Sequence, residues 1–392
     1  MGALEVAVTG PLLIAASDRS TALDLSLVLP TYNEALNVIA VVKQLIAALD
    51  SVPNLSYEII VVDDDSPDRT WEKAQQLSDQ FPQVRAIRRQ GERGLSTAVL
   101  RGWQQARGRI FGVMDADLQH PPRINCELWA AMAEGADLAV ASRHMEGGGV
   151  SDWSMARRMI SRCAQLIGFM VLPEVIGKVS DPMSGYFMIR RSSLEGRELK
   201  PLGYKILMEV LGRGDVRKIA EVPYVFRERT EGASKVSKQI YLQYLKHLLR
   251  IRMHLLRTSP FVRFCLVGVS GTLIDTLVLF LLSDPRTLGW GLTRSKIVAA
   301  ELALANNFIW NDLWTFGKFA VGQNSFAQRV RRFLKFNLIC SVGIIFNLII
   351  LNVGFNYFHM NRYVANLSAI LLVTLWNYNV NRRLSWRTTA KQ

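Results

Sequence analysis

Cysteine is scarce in this 392-residue chain, and the four that occur, Cys126, Cys163, Cys265 and Cys340, share no paired spacing. That argues against a disulfide framework and a cysteine zinc site; two of the four lie in apolar spans, where a small soft side chain is ordinary filler. Acidic residues are scarce in one part only. Beyond residue 240 stand four of the 33, Asp275, Asp284, Glu301 and Asp312, against 18 of the 47 basic residues. The whole surplus of +14 therefore lies in the C-terminal part, and the first 240 residues are neutral. A basic excess confined to the ends of apolar segments reads as membrane anchoring, so nucleic acid is set aside as a partner. No basic residue precedes the apolar patch at 10–16, whereas Glu5 does, which argues against a secretory signal. Residues 1–24 are expected to form a loose tail.

Between residues 25 and 141 short apolar runs at 25–29, 58–62, 84–87, 110–114 and 137–141 alternate with polar-apolar stretches of helical length. Such alternation implies an α/β unit with a mostly parallel sheet covered by helices, and places ligands at the carboxyl ends of the strands. Polar clusters fall there: Pro30-Thr31-Tyr32-Asn33-Glu34 after the first run, Asp63-Asp64-Asp65-Ser66-Pro67-Asp68 after the second and Asp115-Ala116-Asp117 after the fourth. Asp63, Asp64 and Asp65 can accept hydrogen bonds from a base or ribose.

The segment Val113-Met114-Asp115-Ala116-Asp117-Leu118-Gln119-His120-Pro121-Pro122 is the most informative. Hard oxygen ligands suit Mg²⁺ or Mn²⁺, and Mg²⁺ is commonly held by one or two carboxylates together with substrate phosphates. If the chain stays extended, Asp115, Asp117 and Gln119 point to one face and supply three oxygen donors.

These blocks, followed by Ala141-Ser142-Arg143, Gly147-Gly148-Gly149-Val150, Trp153 to Ser161, Ser180-Asp181-Pro182-Met183-Ser184-Gly185-Tyr186-Phe187 and Arg229-Thr230-Glu231-Gly232-Ala233-Ser234-Lys235, stand in the order of a known family. Over residues 25–240 the chain resembles the polyprenol-phosphate hexosyltransferases, most closely the dolichol-phosphate mannose synthases. The resemblance implies a GT-A catalytic domain that moves a sugar, with inversion, from a nucleotide sugar to a lipid phosphate. It assigns Pro30, Tyr32, Glu34, Asp63, Asp64, Asp65, Asp115 and Ala116 to the nucleotide, and Asp115, Asp117 and Gln119 to the metal. Arg143, Arg157, Ser161, Arg229 and Lys235 fall to the acceptor phosphate, with Asp117, Arg143, Arg157 and Arg229 carrying catalysis. Guanidinium suits phosphate independently of any resemblance, since it is always charged and binds bidentately. One departure is Arg69, where the family usually has glycine.

Residues 241–260 read as an amphipathic helix lying in the membrane interface, with Tyr241, Tyr244, Leu245, Leu248 and Leu255 on one stripe and Lys246, Arg250 and Arg257 on another. The segment from Met155 to Leu172, with Arg157, Arg158 and Arg162 among apolar residues, is expected to present the lipid phosphate. Four apolar segments follow, near 261–283, 293–314, 334–356 and 363–381, in two related pairs: 263–268 parallels 335–340, and 307–316 parallels 377–386. Residues 261–392 resemble the GtrA-like membrane domain, here an all-α unit of four helices. Basic residues number five in 241–263, five in 316–335 and four in 382–392, against three in 284–296 and one in 357–362, which puts both termini and the catalytic domain in the cytoplasm of a multi-pass membrane protein.

The partners implied are a lipid bilayer, a polyprenyl or dolichyl phosphate and a nucleotide sugar. GDP-mannose is favoured over UDP-glucose because Asp63 to Asp68 and Gly94-Leu95-Ser96-Thr97-Ala98 look closer to the mannose synthases. A lipid-sugar flippase with a regulatory nucleotide-binding domain is the alternative from a different class, and the oligomeric state is left open.

Overall fold

The computed structural model describes residues 5–6, 10–15, 23–150, 164–227, 238–317 and 325–386. The chain divides into two compact units, Met1–Met253 and His254–Gln392.

The first unit is an α/β sandwich around an eight-stranded sheet. Its elements run β1 (Glu5–Val6), β2 (Leu23–Thr31), α1 (Val38–Asp50), β3 (Tyr57–Asp63), α2 (Thr70–Gln80), β4 (Val84–Arg88), α3 (Leu95–Gln105), β5 (Gly108–Val113), α4 (Ile124–Ala133), β6 (Leu138–Ser142) and β7 (Gly149–Val150). Then come helix α5 (164–171), α6 (Pro173–Ile176), β8 (Phe187–Arg190), α7 (Ile206–Arg213), β9 (Ile219–Pro223), β10 (Val225–Phe226) and α8 (Lys238–Thr258). Strand order is β1-β4-β3-β2-β5-β8-β6-β9, parallel except for β8, which runs antiparallel to both β5 and β6. β7 and β10 form a separate parallel pair. This mixed, mostly parallel sheet is the GT-A architecture.

β2, β3 and β6 are buried along nearly their whole length, which is why they read as continuous apolar runs instead of alternating ones. Glu58, the second residue of β3, is the exception. Its carboxylate is fully buried, but it accepts from Ser26 Oγ (2.6 Å) and pairs with Arg85 (2.8 Å) and Arg107 (2.9 Å), so no bare charge is left in the core. The chain winds outward from β2 through β3 to β4 and then returns to β5 on the other side. The switch in direction lies between β2 and β5, where a crevice opens at the carboxyl ends.

The expected loose tail is instead tied down. β1 pairs in parallel with β4, Arg101 donates to the carbonyl of Gly10 (3.0 Å), Gln104 donates to that of Pro11 (2.8 Å), and Ile14 is only 1% exposed. A patch of apolar residues with no helical or strand period carries no signal for this strap, which is held through its backbone carbonyls.

The expected boundary at residue 240 also moves, because α8 begins at Lys238 and its residues up to Met253 belong to the first unit. Of the stripe read as interfacial, Tyr244 and Leu248 are buried within that unit: the Tyr244 hydroxyl donates to the carbonyl of Ala164 (2.7 Å), and the neighbouring His247 contacts Glu209 at 2.8 Å. Leu245 of that stripe is exposed, in an apolar face it shares with Leu242, Leu249 and Met253.

In the second unit helices form at the four expected places: α9 (Pro260–Ser283), α10 (Leu292–Trp310), α11 (Phe326–Asn352) and α12 (Arg362–Leu384), with five-residue π-helical extensions after α10 (Asn311–Thr315) and α11 (Val353–Tyr357). Among the described residues two segments, Pro260–Ser283 and Phe326–Tyr357, are long and apolar enough to cross a membrane. The sequence repeat has a structural meaning. In the first pair a Cβ on Gly271 would overlap the Asn307 amide; in the second a Cβ on Gly343 would lie 2.6 Å from Asn377 Oδ1. Each pair of helices is thus keyed by a glycine facing an asparagine, the close backbone approach that membrane helices favour. Phe316 and Trp386, the last residues of the two repeated blocks, stack on each other at 4.6 Å. Beside them Asp312 accepts from Arg332 (2.9 Å) and Trp386 (2.9 Å). Asp275, a carboxylate within the first apolar segment, pairs with Lys296 at 2.5 Å.

Candidate active site

A cavity of about 610 Å³ opens at the crevice between β2 and β5. Pro30, Thr31, Tyr32 and Glu34 reach it from the end of β2, Asp64 from β3, and Asp115, Ala116 and Asp117 from the loop after β5. Six of the eight residues assigned to the nucleotide therefore come together on one wall. Sequence reasoning had not placed the rest of the lining: Arg93, Gly94, Leu95, Thr97 and Ala98 before and within α3, the loop Pro201–Tyr204, and Gln243 from α8. Only the Gly94-to-Ala98 block had been singled out, without a role. The others lie far apart in the chain and are brought in by the fold.

Asp63 does not face the cavity. Its carboxylate is fully buried and accepts from Thr31 Oγ1 (2.9 Å), Ser66 N (2.9 Å) and Ser66 Oγ (2.6 Å), so this Asp holds the turn that presents its neighbours. Asp64 is buried between Arg89, whose Nε donates at 2.7 Å, and the backbone N–H of Gly94, also at 2.7 Å. Asp65 adopts a left-handed backbone (φ 54°), takes Arg88 at 2.6 Å, and lines a second recess of about 360 Å³ with Asp64, Arg89 and Arg93. The Arg93 guanidinium lies 5.3 Å over the Tyr32 ring.

The metal reading is tested by Asp115 itself. Its Oδ1 is buried and has no hydrogen-bond partner among the described residues, while Oδ2 lies 3.6 Å from His120 Nε2. A buried carboxylate oxygen left unpaired beside a polar cavity is what a cation would satisfy. Among the described residues no cluster of three or more His, Cys, Asp or Glu side chains gathers around a metal position, and Mg²⁺ is commonly held by one or two carboxylates with substrate phosphates and water.

Gln119 departs from expectation. β5 ends at Val113, and Leu118 takes a left-handed backbone (φ 62°), so the period-2 alternation does not extend past Asp115. Gln119 does not line the cavity; its backbone N–H donates to Asp117 Oδ1 (3.2 Å) and its side-chain amide to the carbonyl of Arg227 (3.0 Å). It steadies Asp117 from outside. His120, which had no assigned role, is buried behind Asp115 against Tyr186, Tyr224 and Phe226 at centroid distances of 5.0–5.5 Å, and fixes the loop's base.

Arg143 lies at the end of β6 and is held bidentately by the fully buried Asp181 (2.6 and 2.9 Å). Burial alone would raise the Asp181 carboxyl, but the Arg143 guanidinium holds it below its usual range, so the pair stays charged. Lys205, which follows the cavity-lining loop, donates to the carbonyl of Met183 (3.2 Å), and burial, together with the charge of Arg143, pushes its ammonium down to about 8. Arg157, Ser161, Arg229 and Lys235 lie outside the described residues.

A GT-A sheet with paired carboxylates on the loop after β5, joined to a helical membrane unit, defines a glycosyltransferase anchored in the bilayer. The comparisons agree: residues 26–197 match glycosyl transferase family 2 and residues 263–386 match the GtrA/DPMS transmembrane domain. The chain is 41% identical over 368 residues to the dolichol-phosphate mannosyltransferase of Pyrococcus furiosus, covering 93% of this chain and 99% of that one. It is 38% identical over 235 residues to the enzyme of the same name from Saccharomyces cerevisiae, covering 58% and 86%. Among solved structures, glucosyl-3-phosphoglycerate synthase from Mycobacterium tuberculosis, in complex with Mg²⁺ and UDP, is 21% identical with a TM-score of 0.44, covering 58% of this chain and 79% of that one. The chain belongs to the dolichol-phosphate mannosyltransferase family.

Proposed function

We propose that the protein transfers mannose from GDP-mannose to a dolichyl-type polyprenyl phosphate, with inversion at the anomeric carbon, at the cytoplasmic face of the membrane. The observation that carries this reading is the unpaired, buried Asp115 Oδ1 beside Asp117 at the mouth of a nucleotide-sized cavity, in a chain aligned along 93% of its length with a dolichol-phosphate mannosyltransferase. Mg²⁺ or Mn²⁺ held by Asp115 and Asp117 would neutralise the donor diphosphate. Tyr32, Glu34 and Asp64 line the space for the nucleoside, and Ala116 leaves room for the diphosphate between the two carboxylates.

The acceptor shapes the rest. A phosphate monoester has a second pKa of about 6 and is already an anionic nucleophile near neutrality, so no general base is required. One of its oxygens forms the bond to the anomeric carbon as the bond from that carbon to the diphosphate breaks, and the electron pair leaves with GDP. The residues must overcome the repulsion between two anions and hold them in line, which is electrostatic positioning. Arg143, preset by Asp181, serves there, and Arg157, Ser161, Arg229 and Lys235 are assigned with it. The exposed apolar residues of α5 (Leu166, Ile167, Phe169, Met170) and of α8 offer the lipid a surface on the catalytic unit.

The test is detergent-solubilised protein with a panel of labelled nucleotide sugars and dolichyl phosphate, with and without excess chelator. Transfer from GDP-mannose above UDP-glucose, lost in chelator, is expected; full activity in chelator, or absence of product, would overturn the reading. Product formed without a sealed membrane also excludes a pure flippase.

A further inference from the structure

We propose that Lys205 is an additional cation of the acceptor-phosphate seat, acting with Arg143 on the attacking phosphate and not on the departing diphosphate. The inference rests on the transferase reading above and adds a residue to it.

Lys205 closes the loop Pro201–Tyr204 that walls the donor cavity, and it starts α7. Its ammonium donates to the carbonyl of Met183, two residues beyond Asp181. The same loop then passes against the metal-site carboxylate, since a Cβ on Gly185 would lie 3.3 Å from Asp115 Oδ2. The charges that act on Lys205 are those of Arg143, Asp181 and Asp115. Among the described residues none of these carboxylates forms an ion pair with Lys205: Asp181 is taken bidentately by Arg143, and Asp115 faces His120 at 3.6 Å. A half-buried ammonium whose one hydrogen-bond partner among the described residues is a carbonyl is poorly compensated, and a second cation nearby adds to the cost. The depression to about 8 expresses that cost and still leaves the group mostly protonated near neutrality. An arriving dianion relieves it.

Which dianion follows from position. The donor cavity is lined by Asp115 and Asp117 but by neither Arg143 nor Lys205, although both lie within electrostatic reach of Asp115. A phosphate held by this pair of cations therefore meets the metal site from outside the donor cavity, as the acceptor must.

The experiment uses the full-length enzyme in detergent with Mn²⁺. Lys205→Met is expected to raise the KM for dolichyl phosphate, or lower kcat/KM for it, by about ten- to a hundredfold, the usual worth of a charge-assisted hydrogen bond. The KM for GDP-mannose, and the GDP affinity measured by calorimetry, should stay within about twofold, and Lys205→Arg should recover most of the loss. A parallel fall in GDP affinity would overturn the proposal by placing Lys205 on the leaving group. So would unchanged lipid kinetics in Lys205→Met, or a loss in both variants that tracks a lowered melting temperature, the mark of a merely structural bond to Met183. Wild-type protein that forms no mannosyl product sinks the transferase reading itself, whereas active wild type with an indifferent position 205 sinks only this one.

Discussion

The two units hold their polar residues by opposite means. In the catalytic unit buried charge is met by charge: Glu58 by Arg85 and Arg107, Asp64 by Arg89, Asp181 by Arg143, and Glu209 by His247 and Arg213. In the membrane unit the helices are keyed mostly by shape, with Gly271 and Gly343 admitting Asn307 and Asn377, and large apolar side chains such as Leu266, Leu273, Leu338 and Leu348 face outward. The difference follows from the solvent. Water rewards apolar burial and leaves charges to be paired inside, whereas lipid is as apolar as leucine and rewards close backbone contact. Among the described residues of the catalytic unit the one buried carboxylate oxygen left without a partner, Asp115 Oδ1, therefore marks the site.

The largest effect tests the site which that oxygen marks. Asp117→Ala should reduce transfer by about a thousandfold or more while the melting temperature holds, because the carboxylate serves a ligand and not the fold. A comparable loss in melting temperature would place Asp117 among the structural charges and break the contrast.

Next come the paired charges. Glu209 is fully buried on α7, with His247 at 2.8 Å and Arg213 at 2.6 Å. Glu209→Gln leaves both partners with less countercharge and should cost about 3 kcal/mol, as expected for breaking a buried pair. The pH dependence has a definite sign. Burial would raise this carboxyl, but His247 and Arg213 hold it below the ordinary 4.5. Its contribution is therefore complete above about pH 4.5 and is lost as the pH falls through the depressed folded value. Wild-type melting temperature should drop steeply below that point, and Glu209→Gln should flatten the drop.

The shape-based lock is expected to matter somewhat less. Gly343→Leu drives a side chain into Asn377 and should destabilise the helix pair by about 1–3 kcal/mol in detergent unfolding, with GDP affinity unchanged. If GDP affinity fell with it, the two units would not be energetically separable.

How far the sequence could be read depended on distance along the chain. The five strands 25–141 and the helix repeat are local patterns that form close to where their periods put them, and the Asp115/Asp117 pair is a short motif on the loop that lines the cavity. The antiparallel β8 and the rest of the cavity lining, with Arg93, Tyr204 and Gln243, depend on tertiary closure that no period records. Gln119 lies outside the cavity because a left-handed residue broke an assumed extension, and Asp63 because the first of three consecutive Asp is consumed by its own turn. Lys205 had no motif to announce it.

The smallest effect concerns the departure noted at Arg69. This residue takes a left-handed backbone (φ 59°) at the start of α2 with its side chain 73% exposed, so it bears a conformation that glycine adopts freely and makes only a loose contact to Glu72 at 3.7 Å. Relief of that strain is worth about 1–2 kcal/mol, and the added freedom of glycine in the unfolded chain takes back about 0.5–1 kcal/mol. Arg69→Gly should therefore stabilise the catalytic unit by about 0.5–1 kcal/mol, the difference of these two opposing effects. The fold tolerates Arg69 because the turn is fixed elsewhere: Asp68 accepts from Ala35 N (3.0 Å), Thr70 N (3.0 Å) and Thr70 Oγ1 (2.6 Å), and Asp63 grips Ser66. A drop in melting temperature on Arg69→Gly would mean that the arginine side chain, and not this carboxylate frame, holds the turn beside the nucleotide wall.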